Sequence, residues 1–246
     1  MNALPLSAKI AIVVVILIVV LLVIFSKTIY QFSTMNSHAT GKIIPNVFAI
    51  KTGIVNCYLV KGDKGYVMID AGTNKDQVEK ALQELAIKPE EIKAILLTHS
   101  DSDHTTSIPL FTNAQLYLPE LEVQMIDGTT MRNRFGRNSL DSKYLTIKDN
   151  DVMEIAGYSI KCLATPGHTP GSMSYLFNNE YLFVGDTMSL IKGKAELFLA
   201  IYNMDDDMQA ISIAKLANVP AKYVFTGHHG YSDNPGLVFE KYGLAE

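Results

Sequence analysis

Four side chains that can bind a metal ion lie within six residues near the middle of the chain. His99, Asp101, Asp103 and His104 belong to the string T-H-S-D-S-D-H-T, which follows the apolar stretch Lys93–Leu97. That stretch predicts a β-strand, and side chains two positions apart on an extended chain point the same way, as His99 and Asp101 would. Asp103 and His104 would turn back toward them where a helix begins. The spacing indicates a metal site at a strand end.

Three later segments also place a possible metal ligand at the end of a predicted strand. His168 lies in P-G-H-T-P-G, Asp186 in V-G-D-T and His228 in T-G-H-H-G, each directly after an apolar stretch and beside glycine. Glycine lets backbone segments approach one another closely. A single such histidine would be interpreted as an ordinary surface imidazole. Because all of them stand at strand ends, we expect them to converge on one site.

The predicted elements alternate in two β-rich blocks, which favours layered sheets flanked by helices over one parallel sheet. Apolar periodicity predicts helices over Asp76–Ala86 and Asp206–Leu216, the second capped by Asp205. Residues 119–150 are polar and irregular. Strands are predicted at Val47–Ile50, Ile54–Val60, Tyr66–Asp70, Lys93–Leu97, Ala114–Leu118, Ser159–Ala164, Met173–Phe177, Tyr181–Val184 and Lys222–Phe225.

These motifs resemble those of metallo-β-lactamase-fold hydrolases, whose marks are H-x-H-x-D-H, P-G-H-T-x-G-S, a G-D strand end and a late G-H. The early Asp70-Ala71-Gly72 also fits, and the resemblance extends over about residues 43–232. It implies an α/β fold, the four-layer αββα sandwich, and a metal-dependent hydrolase. Within that fold family the motifs are poorly specific for substrate.

The resemblance implies a dinuclear site with seven ligands. His99, Asp101 and His168 would hold the first metal, Asp103, His104 and His228 the second, and Asp186 would bridge them. His229 would be a neighbour that is not a ligand. Two divalent ions are expected, zinc first, with iron or manganese as alternatives.

Asp101 departs from the family pattern, which has histidine at that position. An additional carboxylate makes the cluster with its hydroxide neutral instead of positive. We therefore expect its water to be less acidic than in a histidine-rich site, and harder ions to bind better.

The resemblance implies hydrolysis of a small molecule by a metal-bound hydroxide, with Asp103 holding the nucleophile's proton and passing it to the leaving group. The substrate could be an ester, thioester, lactone, lactam or phosphodiester. Aspartate instead of cysteine at position 186 argues against the β-lactamases that have a cysteine ligand there. The chain ends soon after His228, which argues against a glyoxalase II-type substrate domain.

Two other functions stay open. Flavodiiron proteins share the fold and have a carboxylate at the position of Asp101, so a di-iron oxidoreductase is the alternative, although no flavin domain follows. A binding module with a vestigial site is the other. It is disfavoured because crowded carboxylates repel one another without a cation.

Sixteen consecutive apolar residues, Ile10–Phe25, lie between Lys9 and Lys27. With its flanks this run can span a membrane. We predict a membrane anchor over residues 1–30, a tether over 31–42 and a hydrolase domain over 43–246, in a single-pass protein. A cleaved signal peptide is the alternative, with Ser37-His38-Ala39 as a distant site. The flanking charges favour a soluble domain on the non-cytoplasmic side.

A net charge of −4 predicts no nucleic-acid partner. Three arginines, Arg132, Arg134 and Arg137, form either a lid that faces an anionic substrate group or a solvated basic loop. Cys57 and Cys162 lie in predicted strands of different sheets, where buried thiols without a disulfide are expected.

Overall fold

We describe the fold from a computed structural model, over residues 4–132 and 136–243. The chain forms two compact units, Met1–Met35 and Asn36–Glu246. Arg134 of the predicted basic loop lies outside the described residues.

The N-terminal unit is one helix, α1 (Leu6–Thr34), of 29 residues. At about 1.5 Å per residue it is about 44 Å long. It contains an 18-residue window with a mean hydropathy of 3.4. Length and composition therefore make it a candidate membrane span, a test that signal sequences also pass. The helix includes the first four residues of the segment predicted as a tether.

The larger unit contains two main sheets and a small hairpin. The first sheet has the order β1-β2-β3-β4-β5-β6-β7, antiparallel as far as β4 and parallel from there. Its strands are β1 (Gly41–Ile44), β2 (Val47–Thr52), β3 (Val55–Gly62), β4 (Gly65–Ile69), β5 (Ile92–Leu96), β6 (Gln115–Pro119) and β7 (Leu145–Ile147).

The second sheet has the order β15-β14-β11-β10-β9-β8, with β11 and β14 parallel. The strands β12 and β13 form the hairpin. These strands are β8 (Val152–Ile155), β9 (Tyr158–Ala164), β10 (Met173–Phe177), β11 (Tyr181–Gly185), β12 (Ser189–Ile191), β13 (Lys194–Glu196), β14 (Tyr223–Thr226) and β15 (Tyr231–Ser232). The helices of this unit are α2 (Lys75–Glu84), α3 (Ser102–Thr105), α4 (Val123–Asp127), α5 (Asp206–Ala217) and α6 (Pro235–Val238).

The inner faces of the two sheets pack against each other in an aromatic core. Tyr58 of the first sheet contacts Phe183 and Phe225 of the second, and the last two rings stack at 4.6 Å. Side chains of α2 cover the outer face of the first sheet, and those of α5 cover the second. The predicted four-layer αββα sandwich is therefore confirmed.

Capping residues explain where both long helices of this unit begin. Asp205 accepts a hydrogen bond from the Met208 amide at 2.8 Å, as predicted from its position. Asn74 caps α2 in the same way through Gln77. The helix α2 ends two residues before the predicted end, and Ala86 has a φ of +54°.

Several short strands and one short helix were not predicted from the sequence. The strands β1, β7, β8, β12, β13 and β15 have two to four residues each, too few for a periodicity to be recognised. The segment 119–150 contains α4 and β7 besides irregular chain.

The two cysteines are buried and free, on strands of different sheets, as predicted. Burial, the largest cause, raises the pKa of Cys57 and of Cys162 to about 12.

Candidate metal centre

All seven predicted ligand residues follow strands that end at the same edge of the sandwich. His99 and Asp101 follow β5, and Asp103 and His104 lie in α3 immediately after them. The remaining three follow strands of the second sheet: His168 after β9, Asp186 after β11 and His228 after β14.

The structure brings these side chains into two clusters of three. In one, His99, Asp101 and His168 offer ligand atoms that lie within 4.8 Å of one another. In the other, the ligand atoms of Asp103, His104 and His228 lie equally close. Each cluster could hold one ion.

Asp186 lies between the clusters and faces all four imidazoles. Its Oδ2 atom is 3.2 Å from Nε2 of His228, 3.6 Å from that of His104, 3.6 Å from that of His168 and 4.0 Å from that of His99. A carboxylate placed in this way can bridge two ions.

Each of the four imidazoles is oriented by a hydrogen bond on its outer nitrogen. An acceptor on Nδ1 fixes the tautomer that leaves the Nε2 lone pair free for a metal, which is the usual arrangement around ligating histidines. The partners are Thr98 Oγ1 for His99 (2.9 Å), Asp70 Oδ2 for His104 (2.8 Å), Asn203 Oδ1 for His168 (3.3 Å) and the Ile54 carbonyl oxygen for His228 (3.0 Å).

Asp70 supports the floor of the site. It is 2% exposed and accepts hydrogen bonds from the amide and the hydroxyl of Thr98, both at 2.8 Å, in addition to the His104 imidazole. The D-A-G turn was recognised in the sequence, but no role in the site was predicted for Asp70. Its place at the end of a buried strand was the available signal.

Three atoms that face into the site indicate that its residues fit a metal ion. Among the described residues, His99 Nε2, His104 Nε2 and Asp186 Oδ1 are buried and have no hydrogen-bond partner. Buried polar atoms are nearly always paired, so such orphans require an unseen partner. Imidazole nitrogen and carboxylate oxygen are the donors that zinc accepts, and the residues present therefore fit divalent ions.

Burial and charge act in opposite directions on the site's carboxyl groups. Burial raises the pKa of Asp103, but His104 and His228 outweigh this and lower it to about 2. For Asp101 and Asp186 burial is likewise the largest single cause, yet the neighbouring histidines hold both pKa values well below the ordinary range. All three groups are thus carboxylates at neutral pH.

The pKa values of His99, His104 and His228 are shifted in the opposite sense, whereas burial lowers the pKa of His168. Burial lowers the pKa of His228, but Asp186 and Asp103 together raise it to about 9. Burial also opposes protonation of His104, yet Asp103, Asp186 and Asp70 raise its pKa well above the usual value. The site therefore attracts positive charge, which protons or bound cations can supply.

A glycine makes room for the bridging carboxylate. A Cβ atom on Gly227 would lie 2.3 Å from Asp186 Oδ1 and 3.0 Å from His104 Cε1. Because Asp186 occupies this space, only glycine fits directly before His228.

Glu122, which the sequence analysis missed, joins the loops that carry the first cluster. It is fully buried and accepts four hydrogen bonds. Ser100 donates from its amide (2.9 Å) and hydroxyl (2.6 Å), Thr169 from its hydroxyl (2.7 Å) and Gly171 from its amide (3.2 Å). Ser100 lies between His99 and Asp101, and Thr169 follows His168. No local motif marks Glu122, because all of its partners are distant in sequence.

Arg132 and Arg137, two arginines of the predicted basic loop, have different surroundings. Arg132 contacts the Asp101 carboxylate at 2.5 Å and is mostly buried. Arg137 makes an exposed contact with the Asp127 carbonyl oxygen at 3.3 Å. The solvated-loop interpretation thus fits Arg137 and is wrong for Arg132.

His229 is buried but belongs to neither cluster, and both of its ring nitrogens are without a hydrogen-bond partner among the described residues. Burial first, and then the adjacent His228, lowers the pKa of His229 to about 4. Its expected position beside the ligands stays a prediction.

A family model described as the metallo-beta-lactamase superfamily matches residues 50–228, which include all seven side chains. The chain belongs to the metallo-β-lactamase superfamily. The match is consistent with the sandwich and with the strand-end position of each cluster.

Several relatives of the chain are named as probable hydrolases. A probable metallo-hydrolase of Methanocaldococcus jannaschii is 28% identical over 67% of this chain and 71% of its own length. A probable polyketide biosynthesis zinc-dependent hydrolase of Bacillus velezensis is 28% identical over 75% of this chain and 76% of its own. A protein of the same description from Bacillus subtilis is 32% identical, with the match spanning about half of each chain, 54% of both.

Solved structures confirm the fold. A metallo-beta-lactamase family protein of Thermus thermophilus has a TM-score of 0.61 at 21% identity, over 81% of this chain and 79% of that one. A subclass B3 metallo-beta-lactamase of Bradyrhizobium japonicum has a TM-score of 0.62 at 20% identity, over 79% of each chain.

The superfamily match agrees with the predicted metallo-β-lactamase-like hydrolase, and the clusters of histidine and aspartate could hold the predicted divalent metal ions. Zinc-dependent hydrolases are among the relatives. The individual ligand assignments stay predictions.

Proposed function

We propose that this chain hydrolyses a small ester, thioester, lactone, lactam or phosphodiester with two divalent cations, zinc first. The observation that carries the proposal is the arrangement of four Nε2 atoms, all turned inward around the Asp186 carboxylate. Three of the inward-facing ligand atoms, His99 Nε2, His104 Nε2 and Asp186 Oδ1, are buried without partners among the described residues, which supports a site completed by cations.

We assign the seven candidate ligands to two metal positions. His99, Asp101 and His168 would hold one cation, and Asp103, His104 and His228 the other, with Asp186 shared between them. When bound, two divalent cations would lower the pKa of a bound water and polarise the electrophilic oxygen of the substrate. The protein supplies fixed ligands, whose outer nitrogens are already held.

Asp103 is proposed to take part in proton transfer as well as ligation. Its side chain is 36% exposed, whereas those of Asp101 and Asp186 are 17% and 3% exposed. Asp103 is therefore the site carboxylate that solvent and a leaving group reach most easily. It can accept the proton of the attacking water and release it to the departing group.

The apolar helix α1 is proposed to anchor the hydrolase domain to a membrane. Residues 1–30 would form the anchor, 31–42 the tether and 43–246 the hydrolase domain, as predicted from the sequence. The unbroken apolar character of α1 and its candidate-span length support this. The charges that flank the run favour a hydrolase domain on the non-cytoplasmic side.

The experiment that tests the hydrolase proposal combines metal analysis with activity assays. The full chain, purified in detergent, is expected to bind two zinc ions and to hydrolyse at least one generic thioester, ester, lactone, lactam or phosphodiester. A chelator should abolish that activity, and zinc should restore it. A chain without bound metal, with hydrolysis that chelators leave unchanged, would contradict the proposal. Two iron ions with oxygen consumption would instead favour the di-iron oxidoreductase.

A further inference from the structure

Asp101 gives the proposed site a third carboxylate. A histidine at this position would be neutral, so aspartate lowers the charge of the loaded cluster by one unit. An extra negative charge beside the first cation would make its water less acidic. A compensating cation among the chain's own residues would remove this cost.

Arg132 occupies the position that such a cation requires. Its Nη2 atom lies 2.5 Å from Asp101 Oδ2, and the two side chains are only 16% and 17% exposed. Arg132 also lies 3.4 Å from His168 Nε2, through the same nitrogen. The guanidinium is therefore at the first cluster itself.

Asn138 holds the other oxygen of the same carboxylate. Its Nδ2 atom donates to Asp101 Oδ1 at 2.9 Å and to the Ser100 hydroxyl oxygen at 2.7 Å. Both carboxylate oxygens thus have a donor. An ionised carboxylate has about four lone-pair sites, which leaves room for a metal on Oδ2 beside the guanidinium.

We propose that Arg132 is a positioning residue that neutralises Asp101 and orients it as a ligand of the first cation, with Asn138 as its uncharged partner. This inference rests on the proposed dinuclear site. The guanidinium is permanently charged and planar, so it compensates Asp101 at every working pH and fixes the carboxylate's orientation. The positive charge of Arg132 thus offsets the negative charge that aspartate at position 101 adds to the site.

Both terminal nitrogens of Arg132 contact atoms of the protein, whereas its Nε is buried without a hydrogen-bond partner among the described residues. The Nη1 atom contacts the Tyr202 carbonyl oxygen and lies 3.4 Å from the His168 carbonyl oxygen. The Nη2 atom contacts the Asp101 carboxylate. Arg137, on the same loop, has an exposed guanidinium and serves as a matched control.

The test is a zinc-affinity cycle on the full chain in detergent, with a competing chelator to resolve the two sites. Arg132→Gln should weaken the first zinc by about tenfold to a hundredfold, the range for residues that orient metal ligands, and leave the second zinc unchanged. Arg132→Lys should retain much of the affinity, because it keeps the charge. Arg137→Gln should bind both ions as the wild type does.

The decisive comparison uses histidine at position 101. In an Asp101→His background, Arg132→Gln should change the first zinc's affinity by less than about threefold, since no carboxylate remains to be neutralised. The second zinc and the unfolding temperature report whether each variant is folded.

Two results would overturn the inference. Equal weakening by Arg132→Gln in both backgrounds would show a general structural role, and wild-type affinity in Arg132→Gln would show no role in metal binding. If the wild-type chain itself bound no zinc, the proposed function would fail first, and the cycle would show this before any variant is compared.

Discussion

Oδ2 of Asp186 lies 3.2 Å from Nε2 of His228, and this contact joins the ends of β11 and β14, two parallel neighbours in the second sheet. The same oxygen also faces His104 and His168, one from each cluster. The Asp186 carboxylate therefore lies between the two clusters, where the proposed dinuclear site requires it. Gly227 is the residue that allows this approach.

Substitution of this shared carboxylate should disable both halves of the site. Asp186→Asn keeps the volume but removes the charge that attracts two cations. We expect zinc content to fall below two ions per chain and kcat/KM to fall by at least about a hundredfold. Asp207→Asn, on the exposed first turn of α5, is the control and should retain wild-type values. Full zinc content in Asp186→Asn would contradict the bridging role.

Glu122 should matter for stability as well as for the site. Glu122→Gln points amide hydrogens at groups that already donate, which leaves buried donors without acceptors and costs about 3 kcal/mol. Urea unfolding monitored by circular dichroism measures the cost.

Glu120→Gln is the matched control for this measurement. It removes only an exposed ion pair with Lys148 at 3.2 Å, so a cost below about 1 kcal/mol is expected. Equal losses in the two variants would show that the buried network is not what stabilises these loops.

The convergence of the seven candidate side chains could be predicted because each is marked locally, by a strand that ends in a polar or glycine-rich turn. The cap of α5 was predictable for the same reason, since Asp205 lies directly before the helix. Glu122 and the pairing of Arg132 with Asp101 could not be predicted, because their partners are distant in sequence and only the fold brings them together. The short strands were missed because two to four residues carry no usable period.

The buried thiols predict a pH dependence. An unfolded cysteine has a pKa near 9, and burial raises the pKa of both Cys57 and Cys162 to about 12. The folded chain therefore keeps its thiol protons longer than the unfolded chain. The associated stability is present below pH 9 and is lost as the pH rises toward 12.

Thiol labelling checks this directly. At pH 8 the folded chain should react with a disulfide reagent at least about a hundredfold more slowly than the chain in urea. Urea unfolding should require less denaturant at pH 10.5 than at pH 8.5. Rapid labelling of two thiols in the folded chain would contradict the burial.

The helix α1 should retain the chain in membranes. The full chain is expected in the membrane fraction and should resist alkaline carbonate extraction. Val15→Arg together with Val19→Arg places two charges in the apolar run, each costing about 2.5–3.5 kcal/mol at a span's centre, and should release the chain. Lys9→Arg is the control. A wild-type chain that carbonate extracts, or one shortened at the distant Ser37-His38-Ala39 site, would exclude the anchor.

Anomalous diffraction from zinc-loaded crystals tests the dinuclear site most directly. We predict two zinc peaks at coordination distances of about 2.0–2.2 Å, one among His99, Asp101 and His168 and the other among Asp103, His104 and His228, with Asp186 bound to both. Crystals grown in excess zinc that show no peak among these side chains, or a single peak remote from Asp186, would contradict it.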